Sequence, residues 1–262
     1  MMLRALRALW AYAALWYGLA LLGLGSLAWS LLALPLRLLL PARKGRALGR
    51  GVVARGFRFY LGALEMVGAC RFDLDALDAL RGAGPMILAP NHPSLLDAVL
   101  LLSRLPQAAC VLKAPLADSL VFGPGARLAG YIRNDWAVGM VRHSVDELRG
   151  GGQLLLFPEG TRTTRAPVNA FRGAIALIAR QAGVPVQTVF IETDSPFLGK
   201  DWPLTRRPPL PLRYRVRLGR RFDPPRDLPV FLHELEQYYE GELGASLEPS
   251  LQFPADVESR PA

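Results

Sequence analysis

The sequence predicts an α/β domain that follows an N-terminal helical membrane-docking segment. Three observations predict it. No charged residue occurs between Ala8 and Leu36. After Arg71, short apolar runs alternate with amphipathic stretches, the pattern of strands followed by helices. A chain of 262 residues, 51% hydrophobic with a mean hydropathy of +0.21, also has the material for a sizeable core and is too apolar to remain disordered.

As a helix, the uncharged run would be about 43 Å long, against a bilayer hydrocarbon core of about 30 Å. Trp10, Tyr12, Trp16, Tyr17 and Trp29 lie towards its ends, where amphipathic rings favour the headgroup level. Gly18, Gly23, Gly25 and Pro35 are expected to weaken or bend it. The run is about twice as long as the ~7–15 apolar residues of a cleaved signal peptide. Seven basic residues follow it between Arg37 and Arg58 and two precede it, a bias that keeps the body on the cytoplasmic face of the inner (cytoplasmic) membrane. Residues 46–68 mix arginines with Val52, Val53, Phe57, Phe59, Leu61, Leu64 and Val67, which predicts a second helix at the interface near anionic lipid. Length and composition leave open whether the pair spans the bilayer or dips into one leaflet. Residues 1–70 are therefore expected as the membrane-associated helices, 71–244 as the α/β domain and 245–262 as a disordered tail.

Within the body, strands are predicted at 86–90, 108–113, 153–157, 184–191 and 212–219, where apolar or alternating runs end in turn residues. Helices are predicted at 94–104, 138–149, 171–182 and 228–243. Gly150-Gly151-Gly152 and Gly183 stop two of them. Arg213, Arg215 and Arg217 alternate with Tyr214, Val216 and Leu218, giving a strand one wet and one buried face. Five prolines between 194 and 211 predict a loop or lid.

Charge narrows the partners. Of 31 basic residues, nine lie in residues 1–60, where there is no acid, leaving 22 basic against 22 acidic residues in the rest. A body with balanced charge argues against a nucleic-acid channel, and the anionic partner is a lipid surface met by the N-terminus. Cys70 and Cys110 supply neither a disulfide framework nor a zinc pattern, so no metal is expected. No P-loop or dinucleotide fingerprint occurs, and His143 and His233 read as solvated helix positions.

Two segments carry chemistry. Asn91-His92-Pro93-Ser94-Leu95-Leu96-Asp97 opens from a strand end into a helix. Asp97, one turn on, can hold Nδ1–H of His92 and leave Nε2 as a general base. The spacing Ser94-x-x-Asp97 also suits a capping box with no catalytic role. Phe157-Pro158-Glu159-Gly160-Thr161-Arg162 ends another strand, so both loops would reach one sheet edge. Glu159 and Arg162 can bind a polar head, and N–H groups of the Gly160 turn can hold an anion or an oxyanion. The alternative is a surface turn closed by a Glu–Arg ion pair.

These residues resemble the NHxxxxD and FPEGTR signatures of the glycerolipid acyltransferases, in the same order and separation. The resemblance extends over most of 86–192. Val111-Leu112-Lys113 is similar to the family's strand ending in Lys, Arg172-Gly173-Ala174 to its basic-Gly step, and Val184-Pro185-Val186 to its fourth block. It implies a mixed β-sheet flanked by helices and a membrane-bound O-acyltransferase. An acyl chain would move from acyl-ACP or acyl-CoA to a hydroxyl of a lysophospholipid such as lysophosphatidic acid, with no cofactor beyond that co-substrate. His92 would be the general base and Asp97 its partner. Glu159, Gly160, Thr161 and Arg162 would bind the acceptor. No acyl-enzyme is needed, so Ser94 is not a nucleophile.

One block departs from the pattern. Gly130-Tyr131-Ile132-Arg133-Asn134-Asp135-Trp136 carries its Arg displaced from the family's Asp-Arg position. Arg133 either swings to an acceptor phosphate or sits on the surface. With the Pro-rich insert and its Arg206 and Arg207, this keeps open a non-glycerophosphate lipid acceptor. Two further alternatives are a thioesterase or lipid hydrolase using the same His–Asp pair on water, and a non-catalytic membrane adaptor.

Overall fold

The computed structural model describes residues 2–134 and 137–246. Helices α1 (Met2–Leu39) and α2 (Ala42–Met66) form a hairpin, with Pro35 inside α1. The small residues Ala11, Ala14, Gly18, Ser30 and Ala33 recur at helical spacing along α1 and are all buried. They let α1 approach closely: a Cβ on Gly18 would stand 3.2 Å from Leu64 of α2. The opposite stripe is apolar and uncovered, with Trp16, Leu24, Leu31 and Leu38 exposed.

The body follows as β1 (Cys70–Asp73), a 3₁₀ turn at Asp75–Leu80, β2 (Met86–Pro90), α3 (Asp97–Arg104), β3 (Ala108–Lys113), α4 (Ala114–Asp118) and α5 (Gly123–Leu128). It continues as β4 (Ile132–Asn134), α6 (Ala137–Arg149), β5 (Gln153–Leu155), α7 (Ala174–Ala182), β6 (Val186–Thr193), β7 (Leu212–Phe222) and α8 (Leu228–Ser246). The strands lie in the order β1-β7-β6-β2-β5-β3-β4. Among the described residues only β6 and β7 pair antiparallel, so the sheet is mixed, as expected. Central β2 is buried along its whole length, which is why it reads as a continuous apolar run.

Alternate residues of the strands feed two cores. Met86, Leu88, Cys110 and Leu155 pack with Leu100 and Leu101 of α3 and with Tyr60, Leu61 and Leu64 of α2. Ile87, Ala89, Ala109 and Leu154 face Leu148 of α6, Ile178 of α7 and Tyr239 of α8. The helical hairpin thus shares a core with the sheet, and the boundary expected at residue 70 falls inside that packing. Arg50 of α2 fastens it. Its guanidinium donates to the carbonyls of Ala129 and Gln107 at 2.9 and 3.0 Å and to Glu147 at 2.8 Å.

Several expectations are corrected. Arg46, Arg50 and Arg58 of the second helix do not all face lipid: Arg46 lies by Glu147, Arg50 is nearly buried, and Arg58 donates to the Ser103 carbonyl. The second helix starts at Ala42, and the helices expected from 94 and 171 start at Asp97 and Ala174. On β7 the wet face is partly covered, because Arg217 pairs with Glu192 and with Glu242 of α8, both at 2.7 Å. The Pro-rich stretch is a pinned loop, with Ser195, Phe197 and Leu198 buried. Helix α8 runs past the expected end at 243, and the tail at 247–262 lies outside the described residues, as do Asp135 and Trp136.

Candidate active site

Because β2, β5 and β3 are parallel, their C-terminal ends share one edge, where the loops carrying His92 and Glu159 open and Lys113 ends β3. Beyond Pro90, the chain leaves the sheet but stays tied to it. The Asn91 amide donates to the Ile191 carbonyl at 3.0 Å, and its oxygen accepts the Ile191 N–H at 2.7 Å.

His92 is held by four contacts. Glu159 Oε1 accepts its backbone N–H at 2.9 Å, and its carbonyl accepts the Thr163 N–H at 2.7 Å. Nδ1 lies 2.7 Å from Asp97 Oδ2, and the ring stacks on Phe157 with centroids 3.9 Å apart. With Nδ1–H donated to Asp97, Nε2 is left as an acceptor on a side chain that is 15% exposed. Asp97 itself is 0% exposed. Its Oδ2 also accepts the Ser94 N–H at 2.8 Å, so the capping contact and the imidazole contact use the same oxygen. Oδ1 is buried with no hydrogen-bond partner among the described residues. Burial pushes the Asp97 carboxyl above its ordinary value, and the hydrogen bond and charge of His92 oppose that rise. Ser94 is buried, its hydroxyl donating to the Phe197 carbonyl at 3.1 Å.

The second segment divides its residues between two tasks. Glu159 is 1% exposed. Its carboxylate accepts the His92 N–H, the Thr163 hydroxyl at 2.7 Å and the Asn169 N–H at 2.9 Å. That corrects the expectation of an acceptor contact: Glu159 points into the protein and binds three loop positions together. No Glu159–Arg162 ion pair forms among the described residues. Gly160 has φ +68°, and a Cβ there would stand 3.2 Å from Arg172. Thr161 Oγ1 lies 3.4 Å from Lys113 Nζ, at the exposed lip. Arg162 Nη1 donates to the carbonyls of Leu198 and Gly199 at 3.0 and 2.7 Å, which anchors the Pro-rich loop beside His92.

Arg133 stands apart from this group. It lies on β4, the edge strand three places from β2, so about 14 Å across the sheet. There it pairs with Asp118 at 2.8 Å. Thr163, Asn169 and Asn91 were not singled out from sequence as site residues. Thr163 and Asn169 bear no periodic signal, and only their nearness to Glu159 in the chain hinted at them. Beside the His92 loop, a cavity of about 730 Å³ is lined by Pro93 and Thr163 and by Asp194, Lys200, Asp201 and Arg206 of the Pro-rich loop.

A buried carboxylate, an oriented imidazole and a cationic lip can deprotonate a hydroxyl and hold an anionic group close by. The acyltransferase family model matches residues 71–192. A lyso-ornithine lipid O-acyltransferase from Pseudomonas aeruginosa is 32% identical over 129 residues, 45% of this chain and 50% of that protein. The matched stretch thus spans about half the length of this curated relative. The crystal structure of the 1-acyl-sn-glycerophosphate (LPA) acyltransferase PlsC from Thermotoga maritima superposes with a TM-score of 0.66 at 18% identity, covering 94% of this chain and 99% of that one. That likeness establishes the fold.

Proposed function

Because the chain belongs to the glycerolipid acyltransferase family through residues 71–192, we propose that it moves an acyl chain from acyl-ACP or acyl-CoA to a hydroxyl of a lysophospholipid such as lysophosphatidic acid. The observation that carries this reading is the 2.7 Å contact between His92 Nδ1 and buried Asp97. It fixes the imidazole with Nε2 free to take the hydroxyl proton. The alkoxide oxygen then attacks the thioester carbonyl carbon. As the tetrahedral intermediate collapses, the carbon–sulfur bond breaks, and the thiolate recovers the proton from Nε2. The N–H groups of the Gly160 turn and the Lys113 ammonium can meet the negative charge that develops. No residue of the chain is acylated.

This reading puts the work at a membrane. One stripe of α1 is docked on the body from Ala11 to Ala33, about 33 Å of helix, and its other stripe is apolar. A helix fastened along its length to a folded domain lies in one leaflet more readily than it crosses two. The basic residues after α1 favour the cytoplasmic face of the inner membrane.

A second acceptor has a specific observation in its favour. The 730 Å³ cavity beside His92 presents Asp194 and Asp201 together with Lys200 and Arg206, a lining suited to a zwitterionic, non-glycerophosphate head. The relative named for a lyso-ornithine lipid is in keeping with it. Incubating membranes carrying wild-type chain or His92→Ala with labelled acyl-ACP or acyl-CoA, plus lysophosphatidic acid or a lyso-amino-acid lipid, tests both. Label in a diacyl product only with His92 intact supports transfer, and the acceptor used decides between the two. Free fatty acid as the sole product would replace transfer with hydrolysis.

A further inference from the structure

A second cavity, of about 580 Å³, opens at the α1–α2 turn. Arg37, Arg46, Arg127 and Arg133 line it, opposed by Asp146 and Glu147. The acids do not neutralise it. Glu147 is shared by Arg50 at 2.8 Å and Arg46 at 4.0 Å, and Arg133 is matched by Asp118. Among the described residues, Arg37 and Arg127, with Arg46 only loosely matched, thus face Asp146 with an excess of positive charge. Two of them are positioned by the fold. Arg127 Nη1 is held by the Ala117 carbonyl at 2.8 Å. The stem of Arg46 lies where a side chain at Gly130 would be, 2.9 Å from the site of a Cβ, and Gly130 has φ +68°. Guanidinium groups held in this way suit phosphate oxygens.

The position of the cavity indicates the source of the phosphate. Leu38 and Leu39, beside Arg37, are 88% and 75% exposed, so apolar surface borders the cationic opening. No residue of 91–97 or 157–163 lines it, and β4 is about 14 Å from β2 across the sheet. In lysophosphatidic acid the phosphorus is four bonds from the free hydroxyl oxygen, at most about 6 Å at ~1.5 Å per bond. An acceptor poised at His92 therefore does not fill this cavity with its own phosphate. We propose that the cavity at the α1–α2 turn binds the phosphate headgroup of an anionic membrane lipid, as a site separate from the reacting centre. It rests on the membrane placement given above and not on the acyl-transfer chemistry.

The test uses the full chain in neutral detergent micelles. Calorimetric titration with dihexanoyl phosphatidylglycerol, kept below its micellar concentration, is expected to give saturable one-to-one binding. Arg37→Gln with Arg46→Gln should weaken it about 25-fold, about fivefold per charge. Arg4→Gln with Arg7→Gln, equal in charge but outside the cavity, should change it less than twofold. Both cavity arginines are exposed, so the variants are expected to melt as wild type does, and Arg37→Gln alone repeats the test at half the charge change. Equal loss in the Arg4/Arg7 variant would mean diffuse attraction and would overturn the site. Equal binding of dihexanoyl phosphatidylcholine would also overturn it, and equal binding of inorganic phosphate would overturn the lipid as its source. Turnover is measured separately, so a chain that binds the lipid without transferring acyl groups keeps this site and rejects the proposed activity.

Discussion

Glu159 accepts the backbone N–H of His92 at 2.9 Å across 67 positions of sequence, so the two signature segments are fastened to each other through one buried carboxylate. The place of the candidate base is thereby set by a residue that does not reach the cleft. Glu159→Gln puts an amide N–H₂ where an oxygen had accepted a donor, leaving at least one of three part-buried donors unpaired. The expected cost is about 1–3 kcal/mol, or about 2–4 °C in Tm per kcal/mol for a domain of this size. Thermal melts should show that loss together with a lower kcat at unchanged KM for the acceptor. A raised KM at wild-type Tm would instead make Glu159 an acceptor contact.

His92→Ala should lower acyl transfer by about 10²–10⁴-fold, the usual range for a positioned general base. Vesicle flotation should match wild type, while melting should show a loss of about 1–3 kcal/mol, because the ring stacks on Phe157 and buried Asp97 loses its hydrogen-bond partner.

Asp97→Asn separates activity from stability. Folded Asp97 titrates above the unfolded value of about 3.9. The folded chain therefore binds that proton more tightly, and wild type loses stability as pH rises from about 4 through the raised folded value. The variant lacks this dependence. The Tm of wild type minus that of Asp97→Asn is expected to fall as pH is raised from 4, while transfer by the variant is lower at every pH. A difference that grows with pH would reverse the assignment.

Gly49→Ala tests the docking of the hairpin. A Cβ at this position would stand 2.7 Å from the Ala129 backbone N, a neighbour that cannot rotate away. Alanine's better helix propensity, about 1 kcal/mol, works against the strain. Overpacking against backbone still leaves a net loss of about 1–2 kcal/mol, read as a lower Tm in detergent.

Trp16, 55% exposed on the uncovered stripe of α1, is expected to enter lipid. Trp16→Ser should weaken partition into vesicles by about 2.5 kcal/mol, given a ring of ~200 Å² at ~25 cal/mol per Å² that is half available. Equal partition of the two chains in a flotation assay would place this stripe away from the bilayer.

The legible parts of the chain were those with a long or complete pattern. The strands at 86–90 and 108–113 match β2 and β3 end to end, because an unbroken apolar run bounded by turns fits a strand buried on both faces. Strands β1 and β4, of four and three residues, were missed, as half-exposed edge strands carry too few positions to show a period. In the site, the spacing of His92 and Asp97 was informative because the short turn between them brings Asp97, the first residue of α3, back to the ring. The inward aim of Glu159 was not, since a turn has no periodicity to say which way a side chain faces. The displacement of Arg133 to the far edge depends on strand order, which is a property of the whole sheet.

Strand order has another result, in the timing of synthesis. Cys70 of β1 pairs with Leu212 of β7, so the first strand made joins the sheet only after the last one has emerged. At ~5–20 residues per second, that interval is on the order of ten seconds. Until α5 is made, α1 is complete but lacks one of the two helices it packs against. A nascent chain with so apolar a helix needs cover, from lipid or from a chaperone, before the sheet closes.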